Sequence, residues 1–284
     1  MDKRSLGQTG EKLSVVGFGG ILVMDEQPAT ASRLVAQAIE RGISYFDVAP
    51  SYGNAEERLG PALEPYRRSV FLACKTGKRT KDEAAQELQE SLRRLRTDHV
   101  DLYQLHGVRT LEEVEQILGP GGALEAFVEA RQRGLVRFLG FSAHTEATAL
   151  SLLERFAFDT ILFPFNWVCW HQGRFGPRVL EKAREVGVGI LALKSLAKRR
   201  WRQDEARAWA KCWYAPVESY EEAALGLRFT LSRPITAITS PGHEHLLWWA
   251  CDAADRLTPL SEQEEALVQR LSVGLDPIFP SHED

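Results

Sequence analysis

Sulfur is sparse in this sequence, and long apolar runs are missing. Four cysteines (Cys74, Cys169, Cys212, Cys251) are scattered over 284 residues with no CxxC pair. That argues against a disulfide framework and fits reduced thiols in a cytoplasmic setting. No run of ~18 or more apolar residues occurs, so no membrane-spanning helix is expected. The opening stretch, MDKRSLGQTGEK, is polar and does not read as a signal peptide. Basic residues show no excess: the net charge is −4. Apart from Lys198, Arg199, Arg200 and Arg202 they are dispersed, so no nucleic-acid partner is expected. That small cluster reads as a solvated loop. GFGG (17–20) lacks both the GxGxxG spacing and the following acidic residue of a dinucleotide-binding turn. His243 and His245 lie at i and i+2, point apart on a helix, and have no evident third ligand, so no metal is expected. Proline- and glycine-rich linkers, low-complexity segments and internal repeats are also absent.

What is present is an ordinary globular composition, 44% hydrophobic and 26% charged, long enough for two domains or one α/β barrel. Runs rich in Val, Ile, Leu and Phe predict strands at 13–19, 43–48, 69–75, 99–106, 135–142, 159–165, 188–194 and 235–240. Amphipathic stretches lie between them. TASRLVAQAIERG places Leu34, Val35, Ala38 and Ile39 on one face and stops at Gly42. TKDEAAQELQESLRRL opens with Thr80 as a cap and Glu83 three residues on. Its Ala84, Leu88, Leu92 and Leu95 recur at helical spacing. GALEAFVEARQRG and PRVLEKAREVG each end in glycine just before a strand. SYEEAALGLRFTLSR pairs Ser219 with Glu222. Strict alternation implies parallel strands joined by crossovers. The expectation is therefore a single-domain (β/α)8 TIM barrel over residues 1–284, with an open doubly wound sheet as the other reading. Two additions are expected: a loop of about 196–217 after the seventh strand, and a C-terminal helix and tail over 257–284. The loop carries Trp201, Trp209, Trp213 and Tyr214 and should flank a catalytic face, where barrels keep the loops that follow their strands.

Three strand ends and a loop on that face carry reactive groups: Asp47 at the second strand, Tyr52 in the loop after it, Lys75 at the third, His106 at the fourth. A phenol is a weak acid at neutral pH. A nearby ammonium favours its ionised form, and a carboxylate keeps a buried ammonium charged. Asp47, Lys75 and Tyr52 have those roles available. A neutral His106 can donate to a carbonyl oxygen and orient it. The set is suited to protonating an oxygen on which charge develops as a hydride arrives, and hydride chemistry belongs to a cofactor.

These residues lie in stretches that resemble the aldo-keto reductase superfamily. The resemblance runs through LGQTGEKLSVVGFGG (6–20), GISYFDVAPSYGNAEERLG (42–60), ACKTG (73–77), LRTDHVDLYQLHGV (95–108), GLVRFLGFSAH (134–144) and ALGLRFTLSRPITAITSPG (224–242). It implies a (β/α)8 barrel that uses NADP(H) or NAD(H) without metal and acts on a small-molecule carbonyl substrate. It also implies a catalytic tetrad of Asp47, Tyr52, Lys75 and His106, with Tyr52 as general acid. The cofactor residues it implies are Gly19, Ser142, His144, Leu193, Lys194, Ser240, Pro241 and Gly242, the last three cradling phosphate at a helix N-terminus.

The sequence departs from the family at the cofactor. Ala143 stands where an asparagine usually follows Ser142, with His144 as a partial substitute. No glutamine occurs near Phe163, and Asn166 lies elsewhere in the motif. The basic residues that usually grip a 2′-phosphate are missing from 243–249, and Glu244 sits among them. The asparagine expected near Trp248 is absent. The second reading is therefore a nucleotide-binding regulatory or interaction protein on the same barrel. In either case a cytoplasmic monomer or weak homo-oligomer is expected.

Overall fold

Eight short parallel strands close into a barrel in the computed structural model, which describes residues 1–280. The last residues of the expected tail, 281–284, lie outside the described residues. A hairpin comes first: β1 (Lys3–Ser5) and β2 (Lys12–Ser14). The barrel strands then follow as β3 (Val16–Gly19), β4 (Tyr45–Asp47), β5 (Phe71–Thr76), β6 (Val100–Val108), β7 (Val136–Ala143), β8 (Thr160–Pro164) and β9 (Gly189–Leu193). A small ribbon, β10 (Ala197–Arg199) and β11 (Ala215–Pro216), interrupts the order before β12 (Ala237–Thr239), which pairs with both β9 and β3 and closes the ring. The run expected as one strand at 13–19 is therefore divided. Its first part belongs to the hairpin and only Val16–Gly19 joins the barrel.

The helices are α1 (Pro28–Glu40), α2 (Ala55–Leu63), α3 (Lys81–Leu95), α4 (Leu111–Leu118), α5 (Ala123–Gln132), α6 (Glu146–Arg155), α7 (Trp167–His171), α8 (Pro177–Val186), α9 (Tyr220–Leu231), α10 (Glu244–Ala254) and α11 (Glu262–Ser272). Helix α1 starts with Pro28, whose missing N–H costs nothing in a first turn. It stops before Gly42, which is left-handed at φ +83°. Thr80 does precede α3, but its hydroxyl donates to Glu83 Oε2 (2.6 Å) instead of accepting a backbone N–H, so the expected capping box does not form. Complete boxes form at Thr110–Glu113 and Ser261–Glu264. Ser219 caps α9, accepting from the Glu222 N–H.

Strand alternation divides the core in two. Tyr45, Phe71, Ala73, Leu102, Leu162, Leu191 and Ala237 point inward, and Leu6 and Leu13 of the hairpin join them, plugging one end of the barrel. Phe46, Leu72, Cys74, Tyr103 and Leu105 point outward against the helices. The same alternation carries Asp47, Lys75 and His106 to the inner face at the other end, where the apolar filling gives way to polar groups.

Candidate active site

At the C-terminal ends of the strands lies a cavity of about 180 Å³ whose wall includes Asp47, Tyr52, Lys75 and His106. A larger open concavity, about 1450 Å³, lies at the opposite end between β5, β6, β7 and α3. Three of its arginines are tied to carboxylates: Arg67 and Arg137 to Asp101, and Arg96 to Glu64. It holds no comparable set of reactive groups, so size alone does not mark the site.

The small cavity is organised around one buried carboxylate. Asp47 accepts from Lys75 Nζ, from Tyr45 OH (3.1 Å) and from Gln104 Nε2 (3.0 Å). Lys75 also donates to the Val48 carbonyl (3.2 Å), and its ammonium lies 5.1 Å from the centre of the Tyr52 ring. Burial alone would pull the Lys75 pKa down, but Asp47 and Tyr52 more than offset it, and the ammonium is held above its ordinary value. The charge is thus kept, as the sequence led one to expect.

Tyr52 behaves differently from that expectation. Lys75 does pull its pKa down, but burial and then the Asp47 carboxylate push it up, and the phenol ends above its ordinary value. In the low-dielectric wall, desolvation of a phenolate outweighs a single ammonium already shared with a carboxylate. His106 packs edge-on to Tyr52, ring centres 5.7 Å apart, with Nδ1 3.3 Å from Ser51 Oγ. Burial, then Lys75, His144 and Lys194, drive its pKa well below the usual histidine value, so its ring is neutral. It lies within β6, which continues through Val108, not at the strand's end.

The expected cofactor residues line the same cavity. The Gly19 N–H donates to Ser240 Oγ (3.0 Å) across the seam between β3 and β12, and a Cβ on Gly19 would stand 2.3 Å from the Ser240 carbonyl oxygen. Ser240, Pro241 and Gly242 lead into the first turn of α10. Ser142 Oγ accepts from the Gly107 N–H (2.8 Å) and donates to the Leu105 carbonyl (3.3 Å), which leaves one lone pair for a ligand. His144 is stacked against Phe279 (5.2 Å), and burial with Lys194 and Arg109 nearby lowers its pKa to about 4. Ala143 and Phe163 are buried and apolar, so neither adds a polar contact. Asn166 is a scaffold residue. Its Oδ1 caps α7 through Val168 and Cys169, and its Nδ2 donates to the carbonyls of Lys194 (3.0 Å) and Ala197.

Glu244 is not a bare carboxylate. Arg33 of α1 meets it with two hydrogen bonds (2.9 and 3.0 Å), supplying a basic group beside the cradle from a distant part of the chain. The insertion does flank the cavity, with Lys211, Trp213 and Tyr214 in its wall. Trp209 packs on His243 (4.5 Å), and Trp201 donates to the Cys212 carbonyl (2.9 Å). Lys198, Arg199 and Arg200 of the basic cluster are paired with Glu218 and Glu222, with Glu205, and with Asp276. Among the described residues no group of three or more His, Cys, Asp or Glu side chains is placed to hold a metal ion, and no helix is long and apolar enough to cross a membrane.

Gln104, Tyr45 and Lys211 were not read from the sequence. Gln104 was within reach: it lies two residues before His106 on one strand and so faces the same way. Nothing local marks Lys211, whose position is set by Glu26, 185 residues away, through a 2.8 Å bond.

A closed parallel barrel with a lysine–aspartate pair, a phenol and a neutral histidine at its C-terminal mouth defines a (β/α)8 protein of enzymatic design. More specifically, the chain belongs to the aldo/keto reductase family, whose model matches residues 15–213. An uncharacterized oxidoreductase of Bacillus subtilis, YqkF, is 34% identical over 50% of this chain and 49% of its own. The L-galactose dehydrogenase of Arabidopsis thaliana is 28% identical over 69% of this chain and 66% of its own. The matched stretches thus span about half to two thirds of those relatives. Among solved structures, the holo form of aldo-keto reductase AKR11C1 from Bacillus halodurans superposes with a TM-score of 0.76 at 24% identity, covering 98% of each chain.

Proposed function

We propose that this protein is an NAD(P)H-dependent oxidoreductase that reduces an aldehyde or ketone to an alcohol. The observation carrying this reading is that Asp47, Tyr52, Lys75 and His106 meet in one cavity from three neighbouring strands and a loop. The nicotinamide supplies hydride when bound. The chain's own residues do the rest. His106, neutral, donates to the carbonyl oxygen and fixes its direction. Tyr52 gives that oxygen its proton as negative charge develops there. Lys75, held charged by Asp47, stabilises the phenolate left behind, and Tyr45 and Gln104 hold Asp47 in place. The donor set suits a dinucleotide: the N-terminal turn of α10 after Ser240–Gly242 for phosphate, Gly19 for close approach, Leu193 as an apolar surface, Ser142 and His144 for the carboxamide. Among the described residues, buried His243 Nδ1 and Ser195 Oγ, next to cavity-wall residues, have no hydrogen-bond partner.

The test is carbonyl-dependent oxidation of NADPH and NADH by the wild-type protein and by Tyr52→Phe. Removing a general acid should lower kcat by about a hundredfold or more. Full activity in Tyr52→Phe would overturn the assignment. A second reading, a nucleotide-binding regulatory protein with little turnover, is favoured by buried Ala143 and Phe163 at the carboxamide positions. Titration of tryptophan fluorescence with each nucleotide, together with a null result on a broad carbonyl panel, would support it.

A further inference from the structure

Lys194 is the one lysine in the cavity wall without an anionic partner among the described residues. Lys75 is paired with Asp47, and Lys211 with Glu26. Lys194 follows β9 directly, and its backbone is left-handed at φ +68°, a conformation that non-glycine residues rarely adopt. Two bonds to its carbonyl hold it there, from Asn166 Nδ2 (3.0 Å) and the Ala197 N–H (2.9 Å). Its ammonium rests over the rings of Tyr214 (5.0 Å) and Trp213 (5.4 Å). A half-buried cation without a counter-ion is costly, and strained backbone that the surroundings enforce is concentrated at ligand sites.

Lys211 is packed against Gly242 of the phosphate cradle. Lys194, in the same wall, lies over Trp213 and Tyr214. Its field reaches His106 and His144, and the field of Tyr52 reaches Tyr214, over which Lys194 lies. An anion on Lys194 therefore sits within electrostatic reach of the carbonyl-orienting His106.

We propose that Lys194 receives a carboxylate carried by the substrate itself, so that the preferred substrates are oxo-acids, aldehydes or ketones with an acid group near the reacting carbonyl. This rests on the carbonyl-reductase reading of the same site. Trp213 and Tyr214 complete the subsite by holding the ammonium through their ring faces.

The acid group gives the test. Succinic semialdehyde and 4-carboxybenzaldehyde are each compared with their methyl esters, in wild type, Lys194→Met and Lys194→Arg. Binding of benzoate and of methyl benzoate is followed by tryptophan fluorescence, which needs no turnover. A charge-assisted contact in a half-buried site should make wild type prefer acid over ester by about tenfold or more in kcat/KM. Lys194→Met should abolish the preference and Lys194→Arg should keep most of it. The groups facing Lys194 are Cys212 and Tyr214 of the insertion, Lys75 of β5, His106 of β6 and His144 of β7. The thiol and phenol are pushed up, Lys75 stays charged and the histidines are neutral. Burial, only partly countered by Cys212, brings Lys194 itself down to about 8. The acid preference should therefore fade between about pH 7 and pH 9 in wild type and persist in Lys194→Arg.

Equal turnover of acids and esters by wild type overturns the proposal without any variant. So does a preference that survives Lys194→Met. If Lys194→Met weakens NADPH and NADH binding while benzoate binding is unchanged, the anion belongs to the cofactor and the proposal fails. If no carbonyl is reduced but benzoate binding depends on Lys194, the reductase reading falls and the carboxylate subsite stands.

Discussion

Three side chains at the barrel mouth owe their protonation more to burial than to their neighbours' charges. Tyr52 stays protonated above its ordinary range, His106 stays neutral well below its own, and neither titrates near neutrality. For a neutral aldehyde, kcat/KM should therefore be flat from about pH 6 to pH 9. An acid limb near the ordinary histidine pKa would show His106 to be solvated and the assignment of its role wrong. His144 makes a linked prediction about stability. Its folded pKa, about 4, is below the unfolded value because burial, then Lys194 and Arg109, disfavour the imidazolium. The unfolded chain then binds a proton that the folded chain refuses. Stability present above about pH 6.5 is lost as pH falls toward 4. Thermal melts across that range should show a shallower loss in His144→Gln than in wild type.

At the scale of elements, one side-chain amide ties the loop after β9 to the loop after β8. Asn166 caps α7 and grips the carbonyls of Lys194 and Ala197, so it joins the sixth barrel strand's loop to the seventh's. Asn166→Ala should cost about 2 kcal/mol in chemical denaturation and also disturb the position of Lys194. A loss confined to stability, with substrate preference untouched, would separate the two roles. Most barrel strands and several helices were legible in the chain because apolar runs and helical spacing are local signals. Asp47, Lys75 and His106 were legible because they interrupt apolar strands near one end, and Tyr52 because it follows the second strand's end. The capping box at Thr80 failed on geometry that spacing alone does not fix. The helices α4 and α6 were passed over, although Thr110 and Thr145 cap them. The partners of Glu244 and Lys211 lie some 200 residues away. No local pattern encodes such pairs, and they decide the charge around the cradle.

For the molecule as a whole, the joint between β3 and β12 bears on both stability and binding. Gly19 and Ser240 meet there, and a Cβ at Gly19 would collide with the Ser240 carbonyl. Gly19→Ala should lower the melting temperature and weaken nucleotide binding together. If the phosphates rest on that joint, nucleotide at about a hundred times Kd adds ~2.7 kcal/mol to wild type, a rise of about 5 °C in Tm. An unaltered nucleotide shift in Gly19→Ala would detach the cradle from the joint.

The same joint has a consequence for how the protein is made. Val16 and Gly17 pair with Ile238 and Thr239, so the ring cannot close until the chain has been synthesised past Thr239. Until then β3 exposes an unpaired edge, and the loop entropy of bringing such distant segments together must be met in one late event. Synthesis, in this view, is a long wait with an open sheet. A dinucleotide that recognises only the closed ring would report the moment that wait ends.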